Sequence, residues 1–365
     1  MISPLLLIRF AILSSPRIGH FAANVDIYLC KRDSGQVTPR TYDLFSYSPG
    51  IYNTFLGSKW KDQIRIHSFV RILSITNTMI PFGQRHVVPM TEIPSSLMKN
   101  QKVHITFTDR EKSEAQTALI SMGIPVTRPI VCFHTRDNLF LNTTHDYRSW
   151  HYHDYRDSSI SDFLPTIDYL TSKGYTGVRM GALVKEKIES DNPNIIDYSI
   201  IGRSDQLDIF LPSICDLFIG TTAGIMAIPK LFRKPVVYTN IIPLGVLNLL
   251  VCADNSVFIP KKLWLSKENR FMTFPEIINE GKRWLYETEE YERLGIQVID
   301  NTPDEILNVT KEMELRISGD WQPTNEDIEL QKAFQSLLEP SDLAQDIVTT
   351  IGSDFLRNNR NLLAI

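Results

Sequence analysis

The stretch that decides the fold is residues 215–240, "CDLFIGTTAGIMAIPKLFRKPVVYTN". "CDLFIG" is a short apolar run ending at Gly220 and reads as a strand. Thr221, Thr222, Ala223 and Gly224 form a small turn, "AGIMAIPKLF" has helical spacing, and "KPVVYTN" is a second apolar strand. Strand, tight turn, helix and strand make a β-α-β unit, the building block of a parallel sheet covered on both faces. Pro229 adds a constraint. A proline deep in a helix costs about 3 kcal/mol, so this helix must start late or kink.

The same alternation extends in both directions from this unit. "PIVCFHT" (129–135), "YTGVRMG" (175–181) and "IIDYSIIG" (195–202) read as strands. "SISDFLPTIDYLTSKG" (159–174) and "SDQLDIFLPSI" (204–214) read as helices, the second bent or ended by Pro212. In the first third, "LLLIRF", "YDLFSYS" and "VHITFT" are strand candidates, with helices near 18–32, 50–63, 66–79 and 110–122. "MGIPVTRP" (122–129), with two prolines, reads as a linker. The expected organisation is α/β, with two Rossmann-like domains whose parallel sheets face a cleft. The first spans 1–125 and the second 126–340. A helical tail, 341–365, could return to the first domain.

A chain of 365 residues supports two cores, and 43% hydrophobic with 22% charged residues is ordinary globular composition. Net charge of -4 argues against a general nucleic-acid binder. Cys30, Cys132, Cys215 and Cys252 are far apart, with no CxxC pair, and read as reduced thiols of a cytoplasmic protein. "MISPLLLIRFAIL" has Arg9 interrupting its apolar run, which suits a buried first strand better than a signal peptide. No run approaches the roughly 20 apolar residues of a spanning helix.

Ligands of such sheets bind at the carboxyl ends of the strands, so the loops there are the candidate sites. At Gly220, Thr221, Thr222, Ala223 and Gly224, free backbone N–H groups and a helix dipole would favour a phosphate. An ordinary turn capped by Thr222 is the alternative. The loop "HTRDNLFLNTTHDYRSWHYHDYRD" (134–157) is long, polar and aromatic. It offers Arg136, Arg156 and Tyr155 for a phosphate and a sugar or base, and Asp137, Asp154 and Asp157 as acid or base groups. His145, Asp146, Tyr147, Arg148, His151 and His153 belong to the same loop. His151-x-His153 invites a metal, but the chain has neither HExxH nor any Asp-x-Asp pair, and the expectation is no metal. A solvated loop is the alternative for all of it. Arg179, Gly181 and Arg203 also follow strands and are candidates for donor binding, while Ser204 and Asp205 suit a helix cap.

"RIGHFAAN" (17–24) would lie across the cleft, at the end of the first strand. Gly19 would permit close approach to a ligand, and Arg17, Gly19 and Asn24 are acceptor-side candidates. His20 could accept a proton from a hydroxyl, since an unperturbed imidazole titrates near ~6.5. It could equally bind substrate or serve the helix end.

Taken together, "RIGHFAANVDIYL", "DYRD", "CDLFIGTTAG" with "KPVVYTNIIPL", "IDNTPDEI" and "IGSDFLRNNRNLL" resemble a family of bacterial glycosyltransferases encoded among surface-polysaccharide genes. "CDLFIGTTAG" is more distantly similar to the donor-phosphate turn of heptosyltransferases, and "HTRD" to an Arg-containing turn of fucosyltransferase-like enzymes. The resemblance implies a GT-B fold and a hexosyl- or deoxyhexosyltransferase without a metal or other cofactor. The nucleotide-sugar donor would sit in the second domain and a glycan, lipid-linked or protein acceptor in the first. A base on the acceptor side suits single displacement and hence inversion, and the expected place is cytoplasmic, which could include the inner membrane face. A sugar-nucleotide epimerase of the same shape and a non-catalytic nucleotide- or carbohydrate-binding protein are the rival readings.

Overall fold

The computed structural model describes residues 6–37, 40–90, 98, 101–139, 143, 151–247, 256–279, 281–338 and 350–364. The second unit is a seven-stranded sheet, built on β3 (Ile130–His134), β4 (Thr176–Arg179), β5 (Ile195–Ile196), β6 (Leu217–Gly220), β7 (Val236–Ile241), β8 (Ser256–Pro260) and β12 (Thr350–Ile351). Its order is β12-β8-β7-β6-β3-β4-β5, parallel throughout. Every residue of β4, β6, β7 and β8 is buried, as unbroken apolar runs in a doubly covered sheet require. The unit's first strand, β3, lies between β4 and β6, so the winding reverses there. The β3/β6 junction is therefore the switch point of a doubly wound sheet, with a crevice beyond its carboxyl ends.

The first unit is built around β1 (Leu7–Leu13) and β2 (Thr41–Tyr47), also parallel. Single parallel bridges, Phe10 to Val87 and Phe45 to Ile66, widen it. The helix Ile18–Asp33 buries Phe21, Ala22, Val25, Tyr28 and Leu29 over this sheet. The two carboxyl edges meet: Gly19, after β1, packs against Gly224, after β6. The α/β class and the facing parallel sheets are thus as expected, in the arrangement termed GT-B.

Five features differ from the sequence reading. "VHITFT" is not a strand; it runs extended between the units, with His104 buried on Asp26, and Thr108 capping the next helix. That helix, Asp109–Ser121, sends Ala115 and Leu119 into the core of the second unit, although it precedes the linker. The described part of the tail, 350–364, joins the second unit. β12 pairs with β8, and Ser353–Asn358 lies on the helices Pro303–Ser318 and Asn325–Leu338. "IIDYSIIG" gives only the two residues of β5 before a helical turn, Tyr198–Ile201. An antiparallel sheet of β9 (Lys262–Leu265), β10 (Arg270–Phe271) and β11 (Ile296–Ile299) was not foreseen.

Pro229 resolves as physics demands. Gly224–Met226 is a 3-10 turn and the α-helix begins only at Ala227, so the proline stands in the first turn. Pro212 sits in the last turn of Asp205–Ile214, whose N-cap Ser204 accepts from Leu207 N–H. Cys30, Cys132 and Cys215 are buried and not in disulfides; Cys252 lies outside the described residues.

Candidate functional site

At the switch point, two loops are tied together. Arg136 N–H donates to Thr221 Oγ1 at 3.0 Å, and Thr221 N–H to the His134 carbonyl at 3.3 Å. Arg156 spans the crevice, its Nη2 donating to the Thr222 carbonyl at 2.6 Å and its Nε to Thr222 Oγ1 at 3.4 Å. Thus Arg136, Arg156, Thr221 and Thr222, four of the residues singled out for donor binding, come together at one point.

Arg136 Nε bonds Asp157 Oδ1 at 3.3 Å, while its Nη2 is buried with no partner among the described residues. Burial, with the neighbouring Arg136 cation adding to it, pulls Arg156 down to about 10. Burial lifts Asp157 to about 6 even though Arg136 pulls it down. Two guanidiniums close enough to repel each other, with an unused donor on Arg136, suit an added anion beside the Asp137, Asp154 and Asp157 carboxyls.

Lys261, which nothing in the sequence marked, holds this segment. It is buried after β8, and its Nζ donates to the carbonyls of Tyr155 at 3.0 Å and Asp157 at 2.6 Å, and pairs with Asp300 at 2.7 Å.

The other candidates have partners inside the protein. Asp137 accepts from the Leu139 and Lys185 N–H groups, both at 3.0 Å, and staples the loop. Asp154 binds Asn138 and His151. His145, Asp146, Tyr147 and Arg148 lie outside the described residues. Tyr155 is buried with its ring 5.1 Å from Tyr291, so it serves the core rather than a ligand's ring. Arg179 is fully buried against the Glu186 carbonyl and Asp197. With Thr135, Asp137 and Asp157 it lines a pocket of about 270 Å³ beside the switch point. Gly181 lies close by: a Cβ there would reach Val184 Cγ1 at 2.8 Å. Arg203 is paired with Asp208 at 2.6 Å and covers Tyr52, between the units. Gly220 is required for packing, since a Cβ there would lie 2.6 Å from Met226 Sδ and 2.9 Å from the His134 carbonyl oxygen.

The glycines expected to admit a ligand instead admit each other. A Cβ on Gly19 would lie 2.9 Å from Gly224 Cα, and one on Gly224 would lie 3.2 Å from Gly19 N. The helix after β6 has only five residues, a weak dipole. The long helix aimed at this turn is Ile18–Asp33, from the other unit. Arg17 provides no side-chain cap for it, and its first turn holds no acid. Its positive end, with His20 in the first turn, thus meets the turn two residues beyond Thr222. Arg17 is exposed at the N-cap and Asn24 is half-buried one turn on.

One group of buried potential metal-ligand atoms exists among the described residues: Asp26, Cys30 and His104. It is filled by Arg233 of the second unit, which pairs with Asp26 at 2.8 Å and lies 3.6 Å from Cys30 Sγ. His104 is bonded to Asp26 at 2.6 Å. A guanidinium in that place makes this a clasp between the units. No described helix is long and apolar enough to cross a membrane.

No known protein family matches the chain. No curated protein matches it either. Among solved structures it is similar to a glycosyl transferase family 9 protein from Veillonella parvula, with 11% identity and a TM-score of 0.48 over 85% of this chain and 97% of that one. It is also similar to the ADP-heptose LPS heptosyltransferase II of E. coli (13% identity, TM-score 0.37, covering 69% and 90%). A third is an iron-containing dodecameric glycosyltransferase from enterotoxigenic E. coli (12% identity, TM-score 0.36, covering 70% and 66%).

Proposed function

We propose that the protein is a glycosyltransferase, moving a sugar from a nucleotide-sugar donor to an acceptor hydroxyl. The observation that carries this reading is the buried, unpartnered Arg136 Nη2 beside Arg156 at the switch-point crevice. A diphosphate there would receive the unused Arg136 Nη2, lie beside the Arg156 cation and face the uncapped positive end of Ile18–Asp33. The motif resemblance supports the sugar, and the placement of the two arginines supports the diphosphate.

The chemistry follows from that placement. The acceptor oxygen attacks the anomeric carbon, the bond from that carbon to the phosphate oxygen breaks, and the nucleoside diphosphate leaves. Negative charge grows on the departing phosphate, where Arg136 and Arg156 stabilise it. His20, on the opposite unit, takes the proton of the acceptor hydroxyl. A base on the acceptor side suits a single displacement, hence inversion. Asp157 orients Arg136, and Asp137 holds the loop. The two arginines do for the leaving group what a divalent ion does elsewhere, so activity without added metal is expected.

The test is product analysis. The full chain, treated with EDTA, is incubated with a panel of UDP-, GDP-, ADP-, TDP- and CMP-sugars and hydroxyl acceptors. A glycoside of inverted configuration supports the reading. An epimerised nucleotide sugar, or donor bound and recovered unchanged, overturns it. Activity lost to EDTA and restored by Mn²⁺ or Mg²⁺ overturns the metal-free part.

A further inference from the structure

From Gln63 to Thr91 the chain holds no Asp or Glu, although acids make up 42 of its 365 residues. Arg65, Arg71 and Arg85 fall within that stretch and are exposed. So do the three most exposed large apolar residues of the described chain, Phe82 at 82%, Met79 at 78% and Ile72 at 67%, together with Ile80 at 59% and Phe69 at 54%. Met79, Ile80, Pro81 and Phe82 are consecutive and all exposed. Such a run at a loop tip costs solubility and calls for a function.

The tip is built rather than loose. The helix Val70–Asn77 lies on β1 and β2, burying Val70 and Asn77 and leaving Arg71, Ile72 and Ile75 exposed. Asn77 Nδ2 donates to the Gly83 carbonyl at 2.8 Å, closing the turn. Gly83 passes so near the Asn77 carbonyl oxygen that a Cβ would lie 2.0 Å from it. Phe82 is held at φ 67, a left-handed conformation unfavourable for an aromatic residue. The fold accepts that strain and presents the ring outward.

At the other edge of this small sheet, where Ile66 bridges Phe45, lies a second pocket of about 450 Å³, lined by Arg32, Lys61, Arg65 and His67 together with Asp43 and Asp62. Arg65 lies over the Tyr42 ring, 4.4 Å from its centroid, and His67 stacks on Phe69 at 5.5 Å.

We propose that this face of the first unit docks on an anionic phospholipid surface, with Met79, Ile80 and Phe82 entering the acyl boundary and Arg71 and Arg85 meeting headgroup phosphates. Insertion of apolar tips beside clustered cations, without acids, is the chemistry of interfacial binding. A second copy of the chain would pair like charges across a symmetric contact, because no acid lies in this stretch to answer the arginines. The surface is separate from Arg136, Arg156 and the Gly19–Gly224 contact, and the inference stands whatever reaction the cleft performs.

The test is co-sedimentation of the full chain with vesicles of phosphatidylglycerol and phosphatidylcholine, against phosphatidylcholine alone. Wild type should bind the anionic vesicles and release at high salt. Met79→Ser with Phe82→Asn should bind about tenfold or more weakly, Asn being a residue that tolerates the left-handed position. Arg71→Gln with Arg85→Gln should lose about thirtyfold on anionic vesicles and nothing on neutral ones. Both variants should keep the wild-type melting temperature and nucleotide affinity. Three results overturn the proposal: no vesicle binding by wild type, equal binding by the variants, or a wild-type dimer that Met79→Ser with Phe82→Asn makes monomeric.

Discussion

Gly19→Ala puts the junction of the two units under a defined strain. Its new Cβ would stand 2.9 Å from Gly224 Cα and 3.1 Å from Gly224 O. Non-bonded carbons rest at ~3.5–4.0 Å, so the two backbones must part by roughly half an ångström or more. Both obstructing atoms are main chain, and no rotamer can relieve the clash. Overpacking of this kind costs about 1–3 kcal/mol, partly offset by about 0.5–1 kcal/mol gained from alanine in a helix. The net loss of stability is small, on the order of 1 kcal/mol. The larger effect is positional. His20 rides on the displaced helix, while Arg136, Arg156, Thr221 and Thr222 all stay with the second unit. A misplacement of ~1 Å can cost ~100-fold in rate. The expected result is a kcat lowered by about 10- to 100-fold, with donor Kd within about twofold of wild type, measured by transfer kinetics and calorimetric titration. Gly224→Ala is the internal comparison. Its Cβ would meet Gly19 N at 3.2 Å, a milder contact, so its effect should be smaller. Wild-type kcat in Gly19→Ala, or a loss confined to donor Kd, would refute the reasoning.

Three further outcomes follow from the same geometry. His20→Ala should lower kcat by ~10²–10⁴ and remove the acidic limb of the pH profile if the imidazole is the base, whereas a raised acceptor KM with unchanged kcat would make it a binding residue. Asp157 is lifted to about 6 by burial, so below that pH its carboxyl is neutral and repels a diphosphate less. Affinity for a nucleotide sugar should therefore rise about tenfold as pH falls through 6, and Asp157→Asn should flatten the dependence; an equally pH-dependent Asn variant would contradict this. Arg233→Met leaves the buried Asp26 carboxylate with His104 but without its cation, and should cost about 3–5 kcal/mol in urea denaturation, against under 1 kcal/mol if the clasp is idle.

Most of the second unit's strands were legible in the sequence because they are short, fully buried apolar runs closed by turn residues, as "CDLFIG" and "KPVVYTN" show, while the equally buried β8 was not read. Burial on both faces leaves such runs little freedom to be anything else. "VHITFT" has the alternation of a strand but finds no neighbouring strand, and His104 turns to Asp26 instead. The tail's return into the sheet as β12 rests on two residues, too few for a periodic signal. In the site, Arg136 and Arg156 were visible because arginines in a loop after a strand are an economical way to hold an anion. Lys261 was invisible: its neighbours in sequence are ordinary, and its role comes from carbonyls over 100 residues away. The Gly19–Gly224 contact was half legible. Both glycines mark a close approach, but which surfaces approach each other is a tertiary fact.

The central claim is that Arg136 and Arg156 hold a nucleoside diphosphate at the switch point. Calorimetric titration of the full chain with UDP, GDP, ADP and TDP, in EDTA, tests it directly, with Arg136→Ala and Arg156→Ala beside wild type. The account predicts saturable binding of at least one nucleoside diphosphate and a loss of about 10- to 100-fold in each variant, the value of a hydrogen bond to a charged group. A wild type that binds none of them, or arginine variants that bind as tightly as wild type, would contradict it.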